Sequence, residues 1–396
     1  MAPHERTPLT AEDRAENGSA RLARTVKRDV VYDGDNHLSV LLQMHGSVWP
    51  EVLPWCLATL LVTYSVYAIK DHVDLTIQNT TGHTFISILV SFLLITRTTI
   101  TYNRFMEARQ HLADLFRSSQ EIVQYACVLT RTDARAVHWR QEVAYRSIVT
   151  LRMAIAAVEF RSHGINAWDA LPDEDHDKTQ LILEEHHSVR NFKPSTLLTD
   201  LAHGPRTLND ENFRAPIVWA YNLRETIMGT KLNPELFPEH PLHINETLKL
   251  QALVSDVVTA VHELKKLITT PFPFPLVQMA RTFLFAWVFS LPLVLINDDD
   301  SVWEAMAIIL FCTYGFLGLE YVNMELDDPF GTDANDFPTQ RWAENSFEDI
   351  YITIFQTDGM GPATELRKRI STRVARGDAL DNYQADISNE QFWKSR

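Results

Sequence analysis

The sequence predicts an all-α protein that crosses a membrane four times and carries a large helical domain in water. Three observations predict this fold class: four apolar runs with few charges, Lys and Arg concentrated at one set of their ends, and a long charged middle with helical spacing. The 396 residues are 45% hydrophobic with a mean hydropathy of -0.14. Because a long polar middle lowers such an average, local runs decide the class.

The first predicted span is Val52 to Ile69, which contains no charged residue. Glu51 and Lys70 bracket it, and Trp49 and Trp55 lie near one end, where aromatic side chains favour the membrane interface. A short loop from residue 71 to 79, poor in Lys and Arg, follows the span. The pattern predicts the first arm of a membrane hairpin.

The second predicted span ends at Thr96, and Phe85, Leu89 and Leu93 recur in it at helical spacing. Its dense apolar part is shorter than the ~20 residues that cross a bilayer, so alone it would equally fit a buried helix of a soluble protein. From Arg97 onward the pattern becomes that of a long amphipathic helix in water.

The third and fourth predicted spans are Phe274 to Ile296 and Trp303 to Val322. Glu304 and Glu320 lie near the ends of the fourth span, and Arg281 lies inside the third. An arginine facing lipid at the bilayer centre costs about 2.5 to 3.5 kcal/mol. We therefore expect Arg281 to lie near the interface, to pair with an acid, or to line a wet cavity.

These runs divide the chain into five parts. We predict a polar arm over 1–35, a membrane hairpin over 48–97, a helical domain over 98–266, a second hairpin over 267–323, and a loop with a helical region over 324–396. Lys and Arg precede the first and third spans and follow the second, whereas the turns inside both hairpins are nearly free of them. The positive-inside rule then predicts that both termini and the helical domain are cytoplasmic.

Composition and motifs exclude several functions. The net charge of -15 argues against nucleic acid as a partner. Glu184 and His187 form an E-x-x-H pair, but no second pair completes a helical metal site, and a solvated helix accounts for them. The three cysteines lack metal spacing, the start of the chain lacks the apolar core of a secretory signal, and phosphate-loop or nucleophile motifs are absent from the sequence. We predict that the protein is not an enzyme.

The stretch after the fourth span, from Asp327 to Pro338, gathers acidic side chains around Pro329 and Gly331. Hard cations bind such oxygen-rich loops. A capped turn in which Asn335 or Asp336 starts the next helix accounts for the same residues, and the two interpretations are compatible.

Three separated motifs carry a resemblance to a known family. They are RTTITYNRFMEAR after the second span, TTPFPFPLVQMAR before the third, and DPFGTDANDFP after the fourth. In this order they resemble the bestrophin and bestrophin-like anion channels, and the likeness covers about Leu38 to Arg341. The resemblance implies a homopentamer in a lipid bilayer, with four membrane helices per subunit and a central pore.

The resemblance also implies roles for particular residues. Counted back from Arg97, which would flank the pore, the apolar pore neck would be Phe85 and Leu89, with Thr81 and Leu93 one turn to either side. Chloride and other small anions, bicarbonate or nitrate included, would pass through it. Selectivity for cations stays open, because at least one bacterial-type relative prefers them. The membrane would be that of the cell or of an organelle, the plastid thylakoid included.

In this family the loop after the fourth helix forms a calcium clasp. Asp333 and Asp336 match its side-chain ligands, with Asp328 as a third candidate, whereas Thr332 and Ala334 interrupt the run of acids found in animal members. The chain is thus closer to bacterial and plastid members, and we predict no required cofactor and weak or absent calcium dependence. The alternative to a channel is a soluble or membrane-associated helical interaction protein without transport activity.

Overall fold

A computed structural model describes residues 35–70, 81–164, 166–172, 208–232, 242–296, 301–331 and 333–371, together with Val30, His72 and Asp175. These parts form two compact units. The described residues of Lys27–Arg109 and Thr270–Phe337 make the first, here called the membrane unit. Those of Gln110–Thr269 and Pro338–Arg396 make the second, called the helical unit.

The membrane unit contains four helices long and apolar enough to cross a bilayer. After the short α1 (His37–Leu42), they are α2 (Trp49–Ile69), the first part of α3 (Thr81–Leu129), α8 (Phe274–Leu295) and α9 (Val302–Asp327). Pro50 lies in the first turn of α2 and Pro275 in that of α8, where a missing N–H costs little because that group has no partner inside the helix.

Helices α2, α8 and α9 pack around a core of large apolar side chains that includes Val52, Trp287 and Ile309. Polar groups join the same helices. The Thr59 and Thr313 hydroxyls lie 3.3 Å apart in the buried contact of α2 with α9, and the Trp55 indole donates to the Tyr321 hydroxyl at 2.9 Å. Interhelical hydrogen bonds of this kind help to hold helices together in lipid, where burial of apolar surface contributes little.

The helical unit is built around α4 (Val137–Val158), most of whose residues are buried. The C-terminal part of α3, α6 (Leu208–Leu232), α7 (Ile244–Thr269), α10 (Thr339–Asp358) and α11 (Met360–Ser371) belong to the same unit, with α5 (Phe160–His163) and two short 3₁₀ turns, Ala134–Ala136 and Ala167–Ala170. Buried Arg140 of α4 binds the Asp358 carboxylate through Nε at 2.9 Å and donates to the Thr130 carbonyl at 2.7 Å. It therefore ties α4 to α10 and to the turn after α3.

The predicted spans fall in four helices, and the bounds agree within about five residues for the first, third and fourth. The first helix begins three residues before its predicted span, at Trp49, and the fourth continues to Asp327. The apolar second span and the charged stretch after Arg97 form one uninterrupted helix of 49 residues. Several predicted features lie largely or wholly outside the described residues: the polar arm, the loop over 71–79, residues 297–300 between the third and fourth spans, and the Glu184–His187 pair.

Candidate functional site

Helix α3 presents two chemically different faces in the membrane unit. Val90, Leu94, Arg97 and Thr101 are buried, with exposed fractions of 4% or less. Their spacing of three or four residues places them on one face of the helix. This face packs inside the subunit and carries both apolar and polar side chains.

The opposite face is exposed and uncharged. It runs through Phe85, which is 75% exposed, Ile88, Phe92 and Ile95. Steps of three and four residues keep these side chains in line along a helix of 3.6 residues per turn. The described helices of the membrane unit thus leave an apolar stripe of α3 uncovered.

The predicted neck residues fall partly on this stripe. Thr81 and Phe85 are exposed, whereas Leu89 and Leu93 are half-buried. The physical reason is that a row of residues four apart drifts around a helix and does not run parallel to its axis. The predicted row therefore starts on the exposed face and turns toward the interior of the subunit.

A cluster of three charged side chains lies on the buried side of α3. Arg97 donates through one terminal nitrogen to both oxygens of Glu320, at 2.6 Å to Oε2. Arg281 donates from Nε to Glu320 Oε1 at 2.6 Å. Glu320 is only 3% exposed, so one buried carboxylate joins α3, α8 and α9. Charge-assisted contacts of this geometry are the strongest hydrogen bonds that side chains make.

This cluster confirms that Arg281 pairs with an acid, one of the three situations expected from the sequence. It also shows that Arg97, predicted to flank the pore, binds Glu320 in the interior of the membrane unit. The sequence reasoning missed the role of Glu320. Arg281 lies seven residues after the start of α8 and Glu320 seven residues before the end of α9. Equal depths in an antiparallel hairpin are the signal that could have identified the pair.

Several polar groups of the acidic loop after α9 form hydrogen bonds within the loop and with residues close to it. The Asp333 N–H donates to Asp336 Oδ2 at 2.6 Å, and Asp336 is buried. The Asn335 amide donates to the Gly46 carbonyl and to Glu325 Oε2, each at 3.0 Å. An amide N–H therefore joins two oxygens of the kind that a cation would otherwise bring together.

The predicted calcium ligands do not form one cluster. Asp328 and Asp333 are exposed, and Asp336 is directed at the loop's own backbone. Among the residues that the structure describes, these three carboxylates do not meet as a group with ligand atoms within 4.8 Å of one another. A Cβ on Gly331 would lie 2.8 Å from Asp336 Oδ2, so this turn requires glycine for close approach. Thr332 lies outside the described residues.

Comparisons with known proteins identify relatives across most of the chain. The sequence model of a family described as bacterial/fungal bestrophin protein matches residues 29–350. A voltage-dependent anion channel-forming protein of Synechocystis sp. is 20% identical over 304 residues, covering 76% of this chain and 85% of that protein. A protein of the same description from Ralstonia nicotianae is 21% identical over 302 residues, covering 75% and 85%.

Solved structures show the same fold. A crystal structure of a bacterial bestrophin homolog from Klebsiella pneumoniae matches with a TM-score of 0.53 and 16% identity, over 76% of this chain and 98% of that one. A point mutant of the same homolog matches with a TM-score of 0.54 and 16% identity, over 76% and 99%. These matches and the four apolar helices identify an integral membrane protein, so the soluble form of the alternative interaction protein is wrong.

Proposed function

Because this chain belongs to the bacterial/fungal bestrophin family, we propose that it conducts small anions passively through a pore formed by α3. The observation that carries the proposal is the uncharged apolar stripe of α3, which the described residues of the same chain leave uncovered. A membrane helix with such a stripe can face lipid or a pore. The curated relatives, named as anion channel-forming proteins, favour the pore.

Five copies of the chain would surround this pore. Each would contribute Phe85 and Leu89 to the neck, with Thr81 and Leu93 flanking it. The exposure of Thr81 and Phe85 and the partial exposure of Leu89 and Leu93 support this arrangement, since a neighbouring α3 needs surface to pack against. A narrow apolar ring passes weakly hydrated ions and closes by losing its water.

Arg97 would influence the pore indirectly, by fixing the orientation of α3. Its guanidinium binds Glu320, so the charge available to a passing anion is small, and its contact with α9 fixes how far α3 can rotate. The orientation of the neck side chains would then depend on this buried pair. In this role Arg97 is a positioning residue.

Chloride is the proposed main permeant ion, with bicarbonate and nitrate as further candidates. The test is the purified protein in a planar bilayer under a KCl gradient, because the sign of the reversal potential distinguishes anion from cation conduction. A reversal potential near the chloride equilibrium potential supports the proposal. A value near the potassium equilibrium potential would assign a cation channel to the same fold.

We propose that conduction does not require calcium. The loop after α9 supports this proposal, because the Asn335 amide donates to two oxygens there and Asp336 accepts a backbone N–H. Calcium takes six to eight oxygen ligands. The loop would instead hold Gly46 and Glu325 together through the Asn335 amide.

A further inference from the structure

An open cavity of about 510 Å³ lies in the membrane unit beside the charged cluster. Its walls come from the last part of α9, from Arg97 of α3, and from the start of α8 with the segment before it. The side chains that matter most to its chemistry are Arg97, Phe272, Phe274, Val277, Arg281 and Met324. The cavity therefore combines apolar walls with two guanidinium groups.

The charged side chains at this cavity are Arg97, Arg281 and Asp327 in its wall and Glu320, which binds both arginines. Arg97 and Arg281 share the single carboxylate of Glu320. Asp327, which also lines the cavity, lies 3.9 Å from Arg104, and Arg104 donates to the Thr270 carbonyl at 2.7 Å. The two arginines of the cavity wall thus share one carboxylate, while Asp327 lies close to Arg104.

Besides their bonds to Glu320, the two arginines in the cavity wall have N–H groups without an acceptor among the described residues. Arg97 Nε is buried and has no hydrogen-bond partner among the described residues. Arg281 makes one side-chain hydrogen bond among the described residues, from Nε to Glu320, and its side chain is 40% exposed. A buried charged donor without an acceptor is costly, and the more exposed Arg281 is the group that an anion in the cavity can reach directly.

We propose that this cavity binds the phosphate headgroup of an anionic phospholipid, with an acyl chain along Phe274, Val277 and Met324. Arg281 lies seven residues after the start of α8, about 10 Å along the helix axis, and a long arginine side chain at this depth can extend toward the headgroup boundary. Basic pockets between membrane helices bind anionic lipids on the cytoplasmic side. The positive end of the α8 helix dipole, at its N-terminus, also favours an anion here.

Two features favour a lipid over a free small anion. The cavity is many times larger than a chloride ion, and most of the side chains that line it are apolar. Phe274 is 71% exposed although it begins a membrane helix, so it is placed to contact an acyl chain. The proposal rests on membrane insertion and not on the proposed conduction, so either can fail without the other.

The test is native mass spectrometry of the purified protein titrated with phosphatidylglycerol or with phosphatidylcholine of the same acyl chains. Wild type should retain phosphatidylglycerol more strongly, and Arg281→Gln should weaken that binding about fivefold, the effect of one basic residue near an anionic headgroup. Arg117→Gln is the matched control, because Arg117 is exposed and pairs with acids of its own helix. It should leave binding unchanged.

A second variant covers the case in which Arg281→Gln does not fold. Phe274→Glu places a negative charge at the cavity rim without touching the buried cluster, and it should also weaken phosphatidylglycerol binding, whereas Phe274→Gln should weaken it less. Excess inorganic phosphate should not displace the lipid. Equal retention of the two lipids, phosphatidylglycerol binding unchanged in Phe274→Glu, or full displacement by phosphate would overturn the proposal.

Discussion

Glu320 is the residue on which the interior of the membrane unit most depends. Its carboxylate is the shared acceptor for Arg97 and Arg281, and it lies between three membrane helices. Removing one partner of a buried ion pair leaves an uncompensated charge, which costs more than the pair itself contributes. The two arginines are therefore tolerated in an apolar unit because Glu320 is present.

We predict that Glu320→Ala destabilises the protein by about 3 to 5 kcal/mol, because two buried or half-buried arginines lose their shared acceptor. Arg281→Ala should cost less, since Glu320 keeps Arg97 and Arg281 is partly exposed. Denaturant unfolding in detergent, followed by tryptophan fluorescence, measures both. Equal stability of Glu320→Ala and wild type would show that the cluster contributes nothing, and Glu304→Ala serves as a control in the first turn of the same helix.

A second prediction for a single residue concerns acid stability of the helical unit. Burial raises the pKa of Glu142, but the neighbouring Arg146 and Arg369 together lower it by more. The pKa of Glu142 is therefore below the ordinary value of 4.5. A group with a lowered pKa in the folded state stabilises the fold fully above its unfolded pKa and loses that contribution as pH falls through the folded value. Glu142→Gln should remove this dependence.

Thermal unfolding of wild type and Glu142→Gln from neutral pH to below pH 4.5 would check this. The variant should be less stable than wild type at neutral pH, and the gap should narrow as the solution becomes more acidic. A gap that widens toward low pH would show the wrong sign for the proposed ion pairs. Glu121→Gln is the control, because its partner Arg117 is exposed and lies on the same helix. The stability of this variant should differ little from that of wild type at any pH.

Among the helices, α3 carries the proposed pore, and its two candidate rows make different predictions. The predicted neck row contains Phe85 and Leu89, whereas the exposed stripe contains Phe85, Ile88 and Phe92. If the neck is as predicted, Leu89→Ala should widen it, raise conductance and relax discrimination among anions, while Ile88→Ala should have little effect. Single-channel recordings of both variants decide between the rows, and the reverse outcome would place the neck on the exposed stripe.

The loop after α9 is the second element with a direct test. Currents recorded in strong chelator and in micromolar free calcium should be alike in wild type. Asn335→Asp replaces the bridging amide by a carboxylate beside Glu325, which removes two N–H bonds and adds a possible ligand. An abrupt calcium activation in wild type that Asp333→Ala abolishes would show that the loop is a calcium clasp.

The positions of the membrane helices could be predicted from the sequence, because uncharged runs of this length with basic flanks are typical of membrane spans. All four predicted spans fall in helices, three of them with closely similar bounds, whereas the helix of the second span continues to Leu129. The burial of Arg97 against Glu320 and the partial burial of Leu89 and Leu93 could not be predicted. Both depend on how each helix is rotated about its axis, and packing between helices sets that rotation. A one-dimensional apolar pattern around α3 is compatible with several rotations.

For the molecule as a whole, the distribution of Lys and Arg predicts that the helical unit and the N-terminus share the cytoplasmic side. Single cysteines placed in the helical unit, for example at Ser255, should react with a membrane-impermeant reagent from the same side as a tag at the N-terminus. A cysteine at Ser255 should perturb the fold little, because Ser255 lies at the surface. Among the described residues its hydroxyl contacts only Arg224 and the Gln251 carbonyl. Labelling from opposite sides would contradict the predicted topology.

The proposed anion-conducting pore through copies of α3 is best tested by the reversal potential of purified protein in a planar bilayer with unequal KCl on the two sides. We predict reversal near the chloride equilibrium potential, with currents that change in Phe85→Ala and persist in chelator. Reversal near the potassium equilibrium potential, or the absence of current from protein that is folded and inserted, would contradict the proposed pore.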